Sequence, residues 1–225
     1  MKDQNRVLWN DGQKRLQSII QDVKCFEEAK ALCLKQHAML HSKIVCEDIA
    51  FSFEEEIWDG VTDEVFRGIP EKEEDSIAWV FLHMTRIEDI TMNILIADEA
   101  QIFTRVNWLE KMNIKVKDTG NAMTRDEIDK MSSSIDMDML KAYRYEVGKK
   151  TQQIISELKK DDLKKKVELS RINRILEEGA VVPSQTWLTD YWSKKKIYGL
   201  LLMPATRHLF VHLTEAQAIK KALTK

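Results

Sequence analysis

Residues 75–100 read DSIAWVFLHMTRIEDITMNILIADEA, twenty-six positions without a glycine or a proline. Asp75 or Ser76 is placed to cap the first turn, so the stretch predicts one long helix. His83, Ile87, Ile90 and Ile94 follow one another at steps of four, three and four and share a stripe. That stripe puts His83 on a core-facing edge, where a solvated side chain is not expected.

Working outward, the segment from about Asn10 to Lys43 carries Leu16, Ile19, Ile20, Phe26, Ala29, Leu32, Cys33 and Leu40 at helical intervals, which predicts two helices in near continuity. A less regular connection with one short helix follows as far as Pro70, marked by Gly60, Gly68 and the cap-like Thr62. Downstream, Thr124 and Glu127 have the spacing of a capping box, and Asp136 caps a longer helix striped by Leu140, Tyr143, Val147, Ile154 and Leu158. Thr151 interrupts that stripe. The final segment from about Gln185 is aromatic and then amphipathic, and Pro204 either opens its last helix or kinks a longer one, because it frees the Leu200 carbonyl.

Composition supports the same class. The 225 residues are 44% hydrophobic and 32% charged, with seven glycines and three prolines, far too few turn formers for an all-β chain of this length. The expected fold is all-α: a single domain over residues 1–225, built as a four-helix bundle with additional short helices and long crossover connections. A net charge of −2 argues against a nucleic-acid partner. No run approaches the ~20 apolar residues of a membrane span and the first residues lack a signal-peptide core, so the expected location is the cytoplasm. Cys25, Cys33 and Cys46 show no Cys-x-x-Cys spacing and read as reduced packing residues. Ten methionines and six tryptophans supply adaptable apolar surface for a homodimer.

The chemistry-bearing motif is TRHLFVHLTEAQ at residues 206–217. His208 and His212 are four apart, which on a helix is about 40° of rotation and about 6 Å of rise, so both rings can face one ion. Two histidines alone serve equally well as hydrogen-bonded core residues. A third donor from another helix makes an open metal site of the kind catalysts use, and His83 is the candidate. Glu215, three residues after His212, is placed to orient a ligand ring or to accept a proton; the same position also suits a surface charge. Arg86 and Glu88 lie within about a turn of His83, and for each a solvent-facing helix charge or an intrahelical pair is the plain alternative. Cys33, His37 and His41 repeat the four-residue step, but Cys33 and His41 are about 12 Å apart, so at most a neighbouring pair shares an ion. Trp187, Tyr191 and Trp192 recur at helical spacing, as core packing or as the wall of an aromatic-binding cavity.

The segments SIAWVFLHMTRIEDITMNILIA (76–97) and ATRHLFVHLTEAQAI (205–219) together resemble the DinB-like superfamily, which includes the YfiT-type proteins. The resemblance covers most of the chain and rests on Ser76, Trp79 and His83 in a Ser-x-x-Trp-x-x-x-His pattern, and on Arg207, His208, His212 and Glu215 in an Arg-His-x-x-x-His-x-x-Glu pattern. It implies a four-helix bundle with one divalent metal ion, zinc or nickel, on His83, His208 and His212. Relatives in that superfamily include mycothiol-dependent maleylpyruvate isomerases and bacillithiol transferases. The implied substrate is therefore a small molecule, a low-molecular-weight thiol among them, handled by transferase or hydrolase-type chemistry; a non-catalytic metal-binding or ligand-sensing bundle is the alternative. Pro204 departs from the uninterrupted helix expected before the paired histidines.

Overall fold

Ser76 does cap the decisive helix: its hydroxyl accepts from the Trp79 amide at 3.0 Å. The computed structural model describes residues 2–224. Along them run α1 (Asp3–Ile19), α2 (Phe26–Ala38), the short α3 (Phe53–Trp58) and α4 (Asp63–Arg67), α5 (Ile77–Asp89), α6 (Ile102–Arg105), α7 (Trp108–Lys111), α8 (Arg125–Ser134), α9 (Met137–Glu157), α10 (Leu169–Glu177), α11 (Trp187–Ser193), α12 (Ile197–Leu202) and α13 (His208–Leu223). The protein is all-α. Among the described residues there is no strand, only an isolated bridge between Lys166 and Lys196. Nor is any helix among them long and apolar enough to cross a membrane.

Asp89 leads directly into π-helical turns, Ile90–Ala97, which end at Asp98 in the left-handed conformation (φ 58°). Every residue from Ile77 through Leu95 is buried. The predicted stripe is therefore only part of the buried surface, because neighbours pack on all sides: α9 and α13 along the α5 segment, and α9 and α10 along the π turns. Arg86 and Glu88 are buried with it instead of facing solvent.

The Thr124–Glu127 capping box forms at the start of α8, and Asp136 caps α9 by accepting from the Met139 amide. Thr62 caps α4, one of two short helices in a connection expected to hold only one. α1 and α2 pack together but are separated by a 3-10 turn, Val23–Cys25, so they are not continuous. At the other end of the chain Pro204 kinks a longer helix. A π-helical turn, Met203–Arg207, joins α12 to α13, and carbonyls of the helix before it find other donors: the Thr206 hydroxyl bonds the carbonyl oxygens of Leu201 (2.9 Å) and Leu202 (3.0 Å), and Gln13 Nε2 reaches Leu202 as well.

One apolar cluster, which includes Trp9, Phe53, Phe81, Tyr143, Leu209 and Phe210, joins the N-terminal part of α5 to α9 and α13. Trp9 lies flat on Phe210 at 4.1 Å between ring centres, fixing α1 against the start of α13.

Candidate metal centre

α5 and α13 pack side by side, and that contact brings His83 to His208 and His212. Ring centres are 5.2 Å apart for His83 and His208, 4.7 Å for His83 and His212, and 4.4 Å for His208 and His212. One nitrogen from each ring lies within 4.8 Å of the others. His83 is buried, whereas His208 and His212 keep partial access to solvent, so the cluster is approached along the α13 side.

Each ring's second nitrogen decides whether its first is available. His83 Nδ1 sits 2.7 Å from the Thr119 carbonyl oxygen. A carbonyl only accepts, so Nδ1 carries the hydrogen and Nε2 presents its lone pair. His212 Nδ1 meets Glu215 Oε2 at 2.7 Å, and although burial raises the Glu215 carboxyl, hydrogen bonding and attraction to His212 hold it below the usual range. The carboxylate accepts from Nδ1, which in the neutral ring leaves Nε2 of His212 bare. His208 Nδ1 is buried with no hydrogen-bond partner among the described residues. Burial and the nearby rings keep the His208 imidazole well below its usual pKa, and burial pushes His83 down to about 3. Rings of this kind stay neutral near pH 7, the form that ligates metal.

The surroundings hold these rings in place. Trp79 stacks on His83 (4.7 Å between centres, 2° between planes) and donates from Nε1 to the Gly120 carbonyl at 3.3 Å. Gly120 has φ of 76° and a Cβ there would lie 3.1 Å from the Trp79 nitrogen, so the loop bearing Thr119 accepts only glycine at that turn. Arg86 braces the same loop. Its Nη2 donates to the Lys117 carbonyl (2.8 Å) and to Gln101 (2.6 Å), and its Nη1 donates to Tyr143 (2.9 Å) and Asp89 (3.2 Å). Asp75, just before the cap of α5, shares a hydrogen bond with Glu215; burial and the Glu215 charge push its carboxyl up to about 7. Neither the Thr119 carbonyl nor Asp75 carried a sequence signal as a site group, since a carbonyl has no residue type and Asp75 reads as a helix cap.

The aromatic trio does not behave as one wall. Trp192 is buried among Ile87, Ile90 and Leu200, while Trp187 and Tyr191 are exposed. Arg207, on the motif side of His208, donates to Asn10 at 3.1 Å on the surface. The second histidine pair is fully enclosed. His37 and His41 meet Glu88 from α5, and Cys33 is buried in a different apolar cluster, with burial pushing its thiol up to about 12.

No protein-family model matches this chain, and no curated protein matches it. Geometry alone therefore describes the site: an all-α protein with a three-histidine cluster able to hold a metal ion.

Proposed function

We propose that the chain is a single DinB-like domain, its core a four-helix bundle of α2, α5, α9 and the α12–α13 segment, and that His83, His208 and His212 hold one divalent ion, zinc or nickel. The observation that carries this reading is the orientation of the rings. Two of three have their outer nitrogen tied to an acceptor and their inner nitrogen bare, the arrangement by which outer partners fix the tautomer of metal-bound histidine.

Three neutral ligands leave coordination positions for a substrate, which favours a catalytic over a closed structural site. When bound, such an ion supplies Lewis acidity and lowers the pKa of a thiol or water on it. The chain's own residues orient and handle protons: Thr119 and Glu215 fix the rings, and Asp75, hydrogen-bonded to Glu215, is the group placed to take up or release a proton near pH 7. We assign the activity either to transfer of a low-molecular-weight thiol onto a small molecule or to hydrolysis of a small molecule by water.

The test is metal analysis and thiol-conjugation assay of protein purified without a histidine tag, beside His208→Ala. The expected result is loss of activity and a fall in metal affinity beyond the ~10–100-fold that losing an outer partner costs. Equal activity in both proteins overturns the enzymatic reading. A large drop in thermal stability on chelation, with no turnover, assigns the ion a structural role instead.

A further inference from the structure

We propose that His37, His41 and Glu88 form a second, enclosed binding site for a divalent first-row metal ion, separate from the centre on α13. The three side chains are fully buried and offer ligand atoms within 4.8 Å of one another. Glu88 is central: its Oε1 is 2.7 Å from His37 Nε2 and its Oε2 is 3.2 Å from His41 Nε2. Two imidazoles and one carboxylate on one side of an ion are the donor set of non-haem iron(II) sites, and zinc or cobalt(II) accept the same atoms.

Charge makes the case that something cationic belongs there. Arg144 is committed to Glu54, with Nε 2.6 Å from Oε2, and this pair is neutral by itself. Its Nη1 stands 3.9 Å from Glu88 and donates instead to Thr85, while Nη2 donates to the Leu40 carbonyl. Glu88 is thus a buried carboxylate whose nearest guanidinium, 3.9 Å away, is already paired with Glu54. Burial at that depth is costly for an unpaired charge. The hydrogen bonding is incomplete as well: Glu88 Oε2 and His41 Nε2 face each other at 3.2 Å without hydrogen-bond geometry, and His41 Nδ1 is buried with no hydrogen-bond partner among the described residues.

The surrounding residues are shaped to this cluster. Gly148 of α9 faces the His41 ring so closely that a Cβ would lie 2.6 Å from Nδ1. Glu54 Oε2 is 4.0 Å from that same Nδ1, on the far side of the ring from Glu88. Gln152 touches His37 Nδ1 through its amide nitrogen at 2.8 Å, donates to the Leu34 carbonyl, and also lines a cleft of about 620 Å³ with Lys35, Ala38 and Cys46. One side chain therefore separates the cluster from an entry path. As arranged, His37 accepts at Nδ1 and gives its Nε2 hydrogen to Glu88. An ion on Nε2 moves that hydrogen to Nδ1, so loading requires the Gln152 amide to turn its oxygen inward, giving up the Leu34 bond. A carboxylate at position 152 would accept the Nδ1 hydrogen directly.

The experiment strips the full-length, tag-free chain of metal and counts zinc or cobalt(II) retained per chain after dialysis. Two ions are expected in the wild type and one in His208→Ala/His212→Ala, where the open centre is gone; adding Glu88→Gln should remove the last. One ion in the wild type and none in the double variant overturns the proposal and leaves a histidine proton as the buried cation. An ion retained by the double variant but lost with Glu88→Gln, beside a wild type that holds no more, supports this site and sinks the open one. Should the triple variant fail to fold, Gln152→Glu in the double variant decides: about tenfold tighter cobalt(II) binding supports the site, and unchanged binding overturns it.

Discussion

Two histidine clusters flank one helix, and they differ in where the carboxylate stands. His83 and Glu88 are five residues apart on α5, about 140° around its axis, so the helix presents one member of each cluster to opposite neighbours. At the α13 centre, Glu215 and the Thr119 carbonyl lie outside the rings and turn bare nitrogens inward. In the enclosed cluster, Glu88 lies between the rings and collects them around itself. An outer carboxylate orients the donor rings and leaves an approach open. An inner one creates a charge that the fold has to compensate, and the nearest guanidinium, Arg144, is already paired with Glu54.

The comparison breaks most readily at Arg144. Arg144→Met leaves Glu54 buried without its partner, and the expected loss is ~3–5 kcal/mol of stability. Urea unfolding measures it; a loss near zero would mean the enclosed cluster is not held by this pair. Gly148→Ala comes next. In an open helix alanine gains about 1 kcal/mol over glycine. Here the methyl meets the His41 ring, so a net loss of ~1–3 kcal/mol is expected, and a gain would show that the ring is not fixed there.

The third effect is spread over pH. Below about 6.5 the unfolded chain takes up protons on its histidines. The folded chain holds His83 neutral down to about 3, and His208 is also held well below its usual value. Stability in chelator is therefore full above pH ~6.5 and falls as pH is lowered from there, by about 1.4 kcal/mol per pH unit for each such ring. Urea midpoints at pH 7.5, 6.5 and 5.5 should show this decline, and His83→Gln should lessen it. A midpoint independent of pH would show that the rings are protonated in the folded chain.

Much of the helix layout was legible because caps and breakers act locally. Ser76, Thr124 and Asp136 start helices as their side chains dictate, and the scarcity of glycine and proline was enough to name the class. The three histidines that meet were also legible, two from their spacing and one from its place on a buried stripe. What escaped were features set by neighbours. Arg86 and Glu88 look like surface charges until Tyr143, Gln101 and Lys117 close over the first and His37 of α2 meets the second, and periodicity does not distinguish a helix buried on one face from one buried on all. The sequence also separates Glu88 from His37 by fifty-one positions, so a cluster that needs both could not be read from the His37–His41 spacing.

The π turns beside the α13 centre set its phase by counting. A π turn holds about one residue more than the α turn it replaces. Met203–Arg207 lies between α12 and His208, and Ile90–Ala97 follows Glu88 on the other helix. Deleting a single residue from Met203–Arg207 would leave every histidine in the chain, yet would rotate α12 by about 100° relative to α13. Leu200 and Leu201, now buried, would leave the core, or His208 and His212 would turn away from His83. Length changes are ordinarily absorbed in loops; at this point in the chain, one codon more or fewer is equivalent to losing a ligand.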